Sequence, residues 1–189
     1  GMDSNELEEF WSQENLNKTM SKSFWGTGSF LQTKPKYDGI GKREVLFNTF
    51  KDLSLGESKK PVAVLAYDVE KRIPRLLSSY DEPGIKILSA ASATSAAPIY
   101  YSTQEIDDGS WLIDGGIVAN NPSLLGYAEA QKLFPNNNIK ILSIGAGINR
   151  RKINGKNSSK WGALNWFNHD ILGIMLESSI FDEIATDLV

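Results

Sequence analysis

The chain has 189 residues, of which 41% are hydrophobic and 23% charged, a composition typical of a globular domain. Its formal net charge of −3 argues against a domain that binds nucleic acid over its whole surface, because such a domain needs a surplus of lysine and arginine. The absence of cysteine excludes disulfides, thiolate nucleophiles and cysteine-based metal sites, and the single histidine, His169, excludes a histidine-rich metal site.

The N-terminal region, residues 4–36, predicts a short helix followed by irregular chain. Residues 4–12 begin with serine and asparagine, which favour helix starts, and continue with the acidic and apolar residues of an amphipathic helix. Residues 13–36 carry scattered glycine, lysine and serine, which predicts a loop or broken helices. Aromatic side chains here suit either a lid over an apolar site or packing against the core, which is the more common role. They are Trp11, Phe24, Trp25 and Phe30.

The middle of the chain, residues 37–148, alternates helical and strand patterns and predicts the core. Residues 42–53 place their apolar side chains on one face of a helix. Residues 61–67 form a short apolar run after a turn, typical of a buried strand in a mostly parallel sheet. Residues 71–80 predict a second, exposed strand. Pro74 would confine that strand to the edge of the sheet, because proline has no backbone N–H to donate.

The rest of this region continues the alternation. Residues 86–97 are rich in alanine and serine and predict a helix that ends at Pro98 and lets other backbones approach closely. Residues 111–113 and 139–144 predict further strands, the second one buried. Residues 122–133 predict a helix with proline in its first turn. The alternation indicates an α/β fold with a central, mostly parallel sheet flanked by helices.

The C-terminal region, residues 149–189, predicts a loop followed by helices. Residues 150–160 are basic and contain glycine, serine and asparagine, whereas residues 161–188 carry apolar side chains at helical spacing, enough for one or two helices. We treat residues 1–189 as a single partial domain, because the chain is long enough for one core but too short for two comfortable ones.

Asp114 is the sharpest candidate for a functional residue. It follows the strand predicted at residues 111–113 and precedes Gly115 and Gly116, so the strand would deliver its carboxylate to the end of the sheet. Functional residues of α/β sheets lie at the carboxyl ends of strands, and the glycines would let the backbone turn sharply beside the carboxylate. On the pattern alone, a turn aspartate that bonds to a nearby backbone N–H is the more frequent interpretation.

Other nucleophile candidates are weak. No serine stands in a Gly-x-Ser-x-Gly sequence, the strained turn that exposes a nucleophilic serine. We expect Ser89, Ser92 and Ser95 to pack or to make local hydrogen bonds. His169 has no activated serine to serve, so we expect a surface or packing role for it. A phosphate-binding loop is also absent from the sequence, which argues against a nucleotide-binding domain.

Several segments together resemble the patatin-like phospholipase family. The segment before that family's aspartate ends in Ala-Ala-Pro-x-Tyr or -Phe, its catalytic motif reads Asp-Gly-Gly or Asp-Gly-Ala, and Asn-Pro often follows. The matching segments stand in the same order and extend over most of residues 36–170. They are Lys36-Tyr-Asp-Gly39, Ala96-Ala-Pro-Ile-Tyr100, Asp114-Gly115-Gly116, Asn121-Pro122, Ser143-Ile-Gly145-Ala-Gly147 and Lys160-Trp-Gly162.

This resemblance implies a serine lipid acyl hydrolase of phospholipase A type, which cleaves ester bonds of phospholipids or other acyl lipids. In that mechanism a Ser-Asp dyad works without histidine: the serine attacks the ester carbonyl, an acyl-enzyme forms, and the aspartate acts as base. The resemblance implies Asp114 as the catalytic aspartate, Gly115 and Gly116 as its supporting turn, and no metal or other cofactor. The implied partner is a lipid or a membrane surface, and not nucleic acid.

The sequence also departs from the family, because the glycine-rich oxyanion loop and the Gly-x-Ser-x-Gly elbow have no counterpart in it. We therefore expect the C-terminal part of a catalytic domain, with the N-terminal strands and the nucleophile missing and no activity of its own. The loss of a central strand would expose a sheet edge through which the chain could self-associate. The alternative is a non-catalytic module with a patatin fold that binds or scaffolds.

The sequence predicts neither a membrane span nor a signal peptide. No apolar run approaches the roughly 20 residues of a membrane span, and residues 2–18 are acidic and polar where a signal peptide would be basic and then apolar. We expect a soluble protein, cytoplasmic or secreted by a bacterium, and a peripheral position at membranes is compatible with either.

Overall fold

A computed structural model describes residues 2–22, 34–147, 152–169 and 171–177. The chain divides into two compact units, Gly1–Val118 and Ala119–Val189. The predicted α/β class is confirmed, because helices flank a four-stranded sheet in the first unit.

Three helices precede the sheet: α1 (Ser4–Phe10), α2 (Gln13–Thr19) and α3 (Ile40–Phe50). The first and third confirm predicted helices, and the second lies in the region where we expected a loop or broken helices. Helix α1 begins with a capping box, in which the side chains of Asp3 and Glu6 each accept from the other's backbone N–H. Helix α3 begins after Asp38, whose carboxylate accepts from the N–H of Ile40 at 2.9 Å.

The sheet has the strand order β2-β1-β4-β3. Its strands are β1 (Ala63–Asp68), β2 (Ile73–Ser78), β3 (Gln104–Glu105) and β4 (Trp111–Asp114). The register sets Leu65 opposite Leu76 and Ala66 opposite Asp114. The prediction that Pro74 lies on an edge strand is confirmed, because β2 is an outermost strand of the described sheet.

The described strands do not form the mostly parallel sheet that we expected. Every pairing among them is antiparallel. Only residues 69–72 join β1 to β2, and so short a connection permits a hairpin but not the crossover that parallel neighbours need. The apolar run of β1 therefore reflects burial and carries no information on strand direction.

The core lies where helix α4 (Ile87–Thr94) packs against the sheet. The predicted small-residue helix is confirmed there, because Ala90 and Ala93 are buried and their short side chains let the helix approach closely. The Oγ1 of Thr94 donates to the carbonyl of Leu65 at 2.6 Å and ties the helix to β1. The buried apolar cluster consists of Leu55, Ala66, Leu77, Ile85, Ala90, Ala93, Ile106 and Leu112.

The second unit contains only helices among the regular elements of its described part. They are α5 (Ser123–Leu133), α6 (Gly155–Ser158), α7 (Ala163–Asn168) and α8 (Ile171–Glu177). Helix α5 confirms the helix predicted at residues 122–133, and α7 and α8 confirm that helices follow residue 160. Within the described residues, no helix is long and apolar enough to cross a membrane.

The buried strand predicted at residues 139–144 is wrong. This segment forms no strand pairing with the described part of the chain, and its apolar side chains face solvent, with Leu142 and Ile144 each 84% exposed. A strand is buried and paired only when a neighbouring strand offers it N–H and C=O groups. The apolar pattern therefore predicts a tendency, whereas burial requires a partner strand that the described residues do not supply.

Candidate functional site

Asp114 is the last residue of β4, and its backbone is held from two sides. On one side it pairs with Ala66 of β1, the strand at the centre of the core. On the other side its N–H donates to the carbonyl of Ala96, in the segment that follows α4, at 3.1 Å. Asp114 is half-buried, so its side chain remains partly accessible.

The two residues after Asp114 hold its carboxylate in place. The N–H of Gly116 donates to Oδ1 of Asp114 at 2.7 Å, and a 3-10 turn follows over Gly115–Ile117. This hydrogen bond is that of an Asx turn, so the turn role that the sequence suggested is present. It also leaves the second carboxylate oxygen of Asp114 without a role in the turn.

Gly115 sits where no side chain fits. A Cβ added at Gly115 would lie 2.1 Å from the carbonyl oxygen of Leu65 and 2.5 Å from the carbonyl carbon of the same residue. Both atoms belong to the backbone of β1 and cannot move without disturbing the sheet. Glycine at this position therefore brings Asp114 against the central strand.

Lys42 is a site residue that sequence reasoning missed. Its side chain is buried, with 6% exposure, and Nζ donates at 3.2 Å to each of three oxygens: the carbonyls of Ser92 and Ser95 and the Oγ of Ser95. The ammonium also lies 4.0 Å from the centre of the Tyr101 ring, within range of a cation–π interaction. The sequence does contain one indication that Lys42 is buried, because Lys42 shares a helical face with the buried residues Val45 and Leu46.

The two charged groups influence each other. Burial lowers the pKa of Lys42 to about 8, and the nearby negative charge of Asp114 acts in the opposite direction. Burial raises the pKa of Asp114, although the hydrogen bond from Gly116 and the positive charge of Lys42 both oppose the rise. A carboxylate with a raised pKa binds a proton more readily, which suits a general base.

The other serine and histidine candidates make packing contacts or local hydrogen bonds. Ser92 is buried, and the Oγ of Ser95 donates to the carbonyl of Ala91 at 2.6 Å, a local hydrogen bond of the kind we predicted for these serines. His169 stacks on Trp161 at 3.9 Å between ring centres within the second unit, which confirms a surface or packing role.

The candidate lid falls largely outside the described residues, because Phe24, Trp25 and Phe30 do so. Trp11 is 61% exposed and contacts Phe10 edge-on at 5.2 Å between ring centres. In the part of the chain that is described, no group of three or more Asp, Glu or His side chains could hold a metal ion.

Comparisons with known proteins converge on one family. The family model described as "Patatin-like phospholipase" matches residues 1–125, which include Lys42 and Asp114. Patatin-like protein 2 of Arabidopsis thaliana is 29% identical over 185 residues, covering 83% of this chain and 45% of that protein. Patatin-like protein 3 of the same plant is 31% identical over 160 residues, which cover 70% of this chain and 37% of that protein. A cGAMP-activated phospholipase of Pseudomonas aeruginosa is 29% identical over 140 residues, which cover 69% of this chain and 42% of that protein. The matches to these three relatives span less than half the length of each.

Proposed function

This chain belongs to the patatin-like phospholipase family, and we propose that it supplies the catalytic aspartate, Asp114, of a serine lipid acyl hydrolase. The proposed reaction is of phospholipase A type and cleaves ester bonds of phospholipids or other acyl lipids at a membrane surface or lipid aggregate. The observation that carries the proposal is the Asp114 carboxylate, which is half-buried at a strand end, held by Gly116, and has a raised pKa.

The proposed chemistry uses Asp114 as the only base. A serine hydroxyl from outside these 189 residues attacks the ester carbonyl carbon while Asp114 takes its proton. The intermediate collapses to an acyl-enzyme, and the alcohol leaves with the proton from Asp114. Asp114 then takes a proton from water, which attacks the acyl-enzyme, and the fatty acid leaves as the serine regains its proton.

Two features support this role for Asp114. Its second oxygen takes no part in the Asx turn and can accept a proton from a neighbouring hydroxyl. The packing of Gly115 against the backbone of β1 fixes the carboxylate, and fixed geometry reduces the reorganisation that a proton transfer requires.

A second candidate function is a non-catalytic module that binds or scaffolds with the patatin fold. It is favoured by one observation, the absence of a Gly-x-Ser-x-Gly sequence from these 189 residues. The two functions differ in what the gene encodes beyond this chain, and that difference can be tested directly.

The test determines the complete open reading frame that contains this chain and expresses its product, called here the complete gene product. The proposed enzyme requires a glycine-rich loop and a Gly-x-Ser-x-Gly sequence upstream of Met2, and fatty acid release from phosphatidylcholine vesicles by the complete gene product. The isolated 189-residue chain should release none. An upstream stop codon, or a complete gene product without hydrolysis of phospholipid or p-nitrophenyl esters, would favour the binding module.

A further inference from the structure

Lys42 is a charged residue in a place that normally excludes charge. Buried lysine is rare unless it is paired, because removal of an ammonium from water is costly. The three oxygens that bond to Nζ of Lys42, two from Ser95 and one from Ser92, are neutral. They satisfy all three donors of the ammonium but leave its charge uncompensated.

Asp114 is the carboxylate that acts on this charge. The Coulomb interaction between the two residues raises the pKa of Lys42 and lowers that of Asp114. Among the described residues, Tyr101 is the other titratable group in contact with Lys42, and the pKa of its phenol is raised by burial, by Tyr37 and by Asp38. The phenol of Tyr101 is therefore neutral at physiological pH and cannot replace Asp114 as the counter-charge.

Lys42 and Asp114 are also attached to the same stretch of backbone. Lys42 bonds to the carbonyls of Ser92 and Ser95, at the C-terminal end of α4. One residue further on, the carbonyl of Ala96 accepts from the N–H of Asp114 at 3.1 Å. Residues 92–96 thus form a short bridge that connects the anchor of the ammonium to the anchor of the carboxylate.

We propose that Lys42 is a positioning residue for Asp114, whose ammonium favours the ionised carboxylate and whose bonds to Ser92 and Ser95 fix the backbone segment to which Asp114 is attached. The inference rests on the proposed function, because it concerns Asp114 acting as base. Burial alone would favour the protonated form of Asp114, which cannot accept the proton of a serine. The buried positive charge of Lys42 acts on Asp114 in the opposite direction to burial and favours the carboxylate form that can accept a proton.

The first test measures kcat/KM of the complete gene product against pH with p-nitrophenyl butyrate. Lys42→Met and Lys42→Gln remove the charge, Lys42→Arg keeps it, and Arg43→Met removes a charge from the exposed neighbouring position on α3. In the two neutral variants the acid limb of the profile should move to higher pH, so that on this limb kcat/KM falls further below its plateau than in the wild type at the same pH. Lys42→Arg and Arg43→Met should keep the acid limb of the wild type. A folded neutral variant with an unmoved acid limb would overturn the proposal.

The second test needs no substitution of Lys42. The pKa of its ammonium is measured by NMR of 15N-labelled lysine in the wild type and in Asp114→Asn, where a neutral amide replaces the carboxylate. Because the interaction is reciprocal, the pKa of Lys42 should be lower in Asp114→Asn than in the wild type. An unchanged pKa would overturn the proposal even if neither neutral Lys42 variant folds.

The two proposals fail in different ways. Retained hydrolysis in Asp114→Asn would refute the role of Asp114 as base, whatever the Lys42 variants do. Lost hydrolysis in Asp114→Asn, together with an unmoved acid limb in Lys42→Met and an unchanged pKa of Lys42, would refute only the positioning role.

Discussion

Replacement of Gly115 by alanine is predicted to damage both the fold and the site. The added Cβ would lie 2.1 Å from the oxygen and 2.5 Å from the carbon of the Leu65 carbonyl, and 3.1 Å from the nitrogen of Ala66. These atoms lie in β1, which pairs with β2 on one side and β4 on the other. The strand cannot retreat from the methyl group without loss of hydrogen bonds.

The size of the effect follows from the overlap. Overpacking of a well-packed core costs about 1–3 kcal/mol of stability and occasionally more. Because the added Cβ would overlap both the carbon and the oxygen of the Leu65 carbonyl, we expect a cost at the upper end of this range. We expect a loss of about 3 kcal/mol in the free energy of unfolding. With a urea m-value of about 2 kcal/mol/M, the midpoint of unfolding should fall by about 1.5 M.

The assay is urea denaturation of the complete gene product, followed by circular dichroism, with Gly84→Ala as the matched control. An added Cβ at Gly84 meets no atom within 4 Å, so that variant should stay within about 1 kcal/mol of the wild type. Gly115→Ala should also lose hydrolysis, because Asp114 moves with the turn. A Gly115→Ala midpoint within about 0.3 M of the wild-type value would refute the claim that Gly115 is there for close packing.

Three further predictions concern other charged and apolar residues. The pKa of Lys42 is lower in the folded state than in the unfolded chain, so the unfolded chain binds more protons between about pH 8 and 10.5 and stability contributed by this group rises with pH there. The free energy of unfolding, measured by urea titration at several pH values in that range, should rise more steeply with pH in the wild type than in Lys42→Met, by up to about 1.4 kcal/mol per pH unit. Equal pH dependences in the two proteins would contradict the lowered pKa of Lys42. Arg75 bonds to Asp108 at 2.7 Å and to Glu82, all three being partly buried, so Arg75→Met should lower the free energy of unfolding by about 1–2 kcal/mol, and a thermal melt identical to the wild type would contradict this. Leu142→Lys should leave the stability of the isolated chain within about 0.5 kcal/mol, because the side chain is 84% exposed. If the isolated chain self-associates through this segment, Leu142→Lys should reduce the association in analytical ultracentrifugation, and unchanged association would exclude the segment as its cause.

The elements that the sequence predicted correctly are those with a strong local pattern. Helix α4 is specified by its run of small residues, and β2 by apolar residues around Pro74, whose missing N–H restricts it to an edge. Asp114, at the end of β4, stands out because glycine follows it twice. Such features depend on residues that are close in the sequence, so they can be predicted without knowledge of the fold.

The elements that the sequence predicted wrongly or missed depend on distant partners. Strand β3 has only two residues, Gln104 and Glu105, and exists because it pairs with Trp111 and Leu112 of β4. Residues 139–144 carry a strand pattern but meet no partner strand among the described residues. Strand direction likewise depends on connection length, which an apolar run does not encode.

Lys42 was missed for a related reason. Lysine on a helix is expected at the surface, and its burial depends on oxygens at the end of α4, some fifty residues away along the chain. Only the fold brings these groups together. The helical face shared with Val45 and Leu46 was the single local hint.

The most direct test of the central claim is fatty acid release from phosphatidylcholine vesicles by Asp114→Asn in the complete gene product, with Asp107→Asn as control. Both carboxylates accept a backbone N–H, from Gly116 and from Lys86, and the amide oxygen of asparagine can keep each bond, so both variants should fold. If Asp114 is the base, Asp114→Asn should lose at least about a thousandfold in kcat, while Asp107→Asn keeps wild-type activity. A folded Asp114→Asn that hydrolyses phospholipid within about tenfold of the wild type would contradict the account.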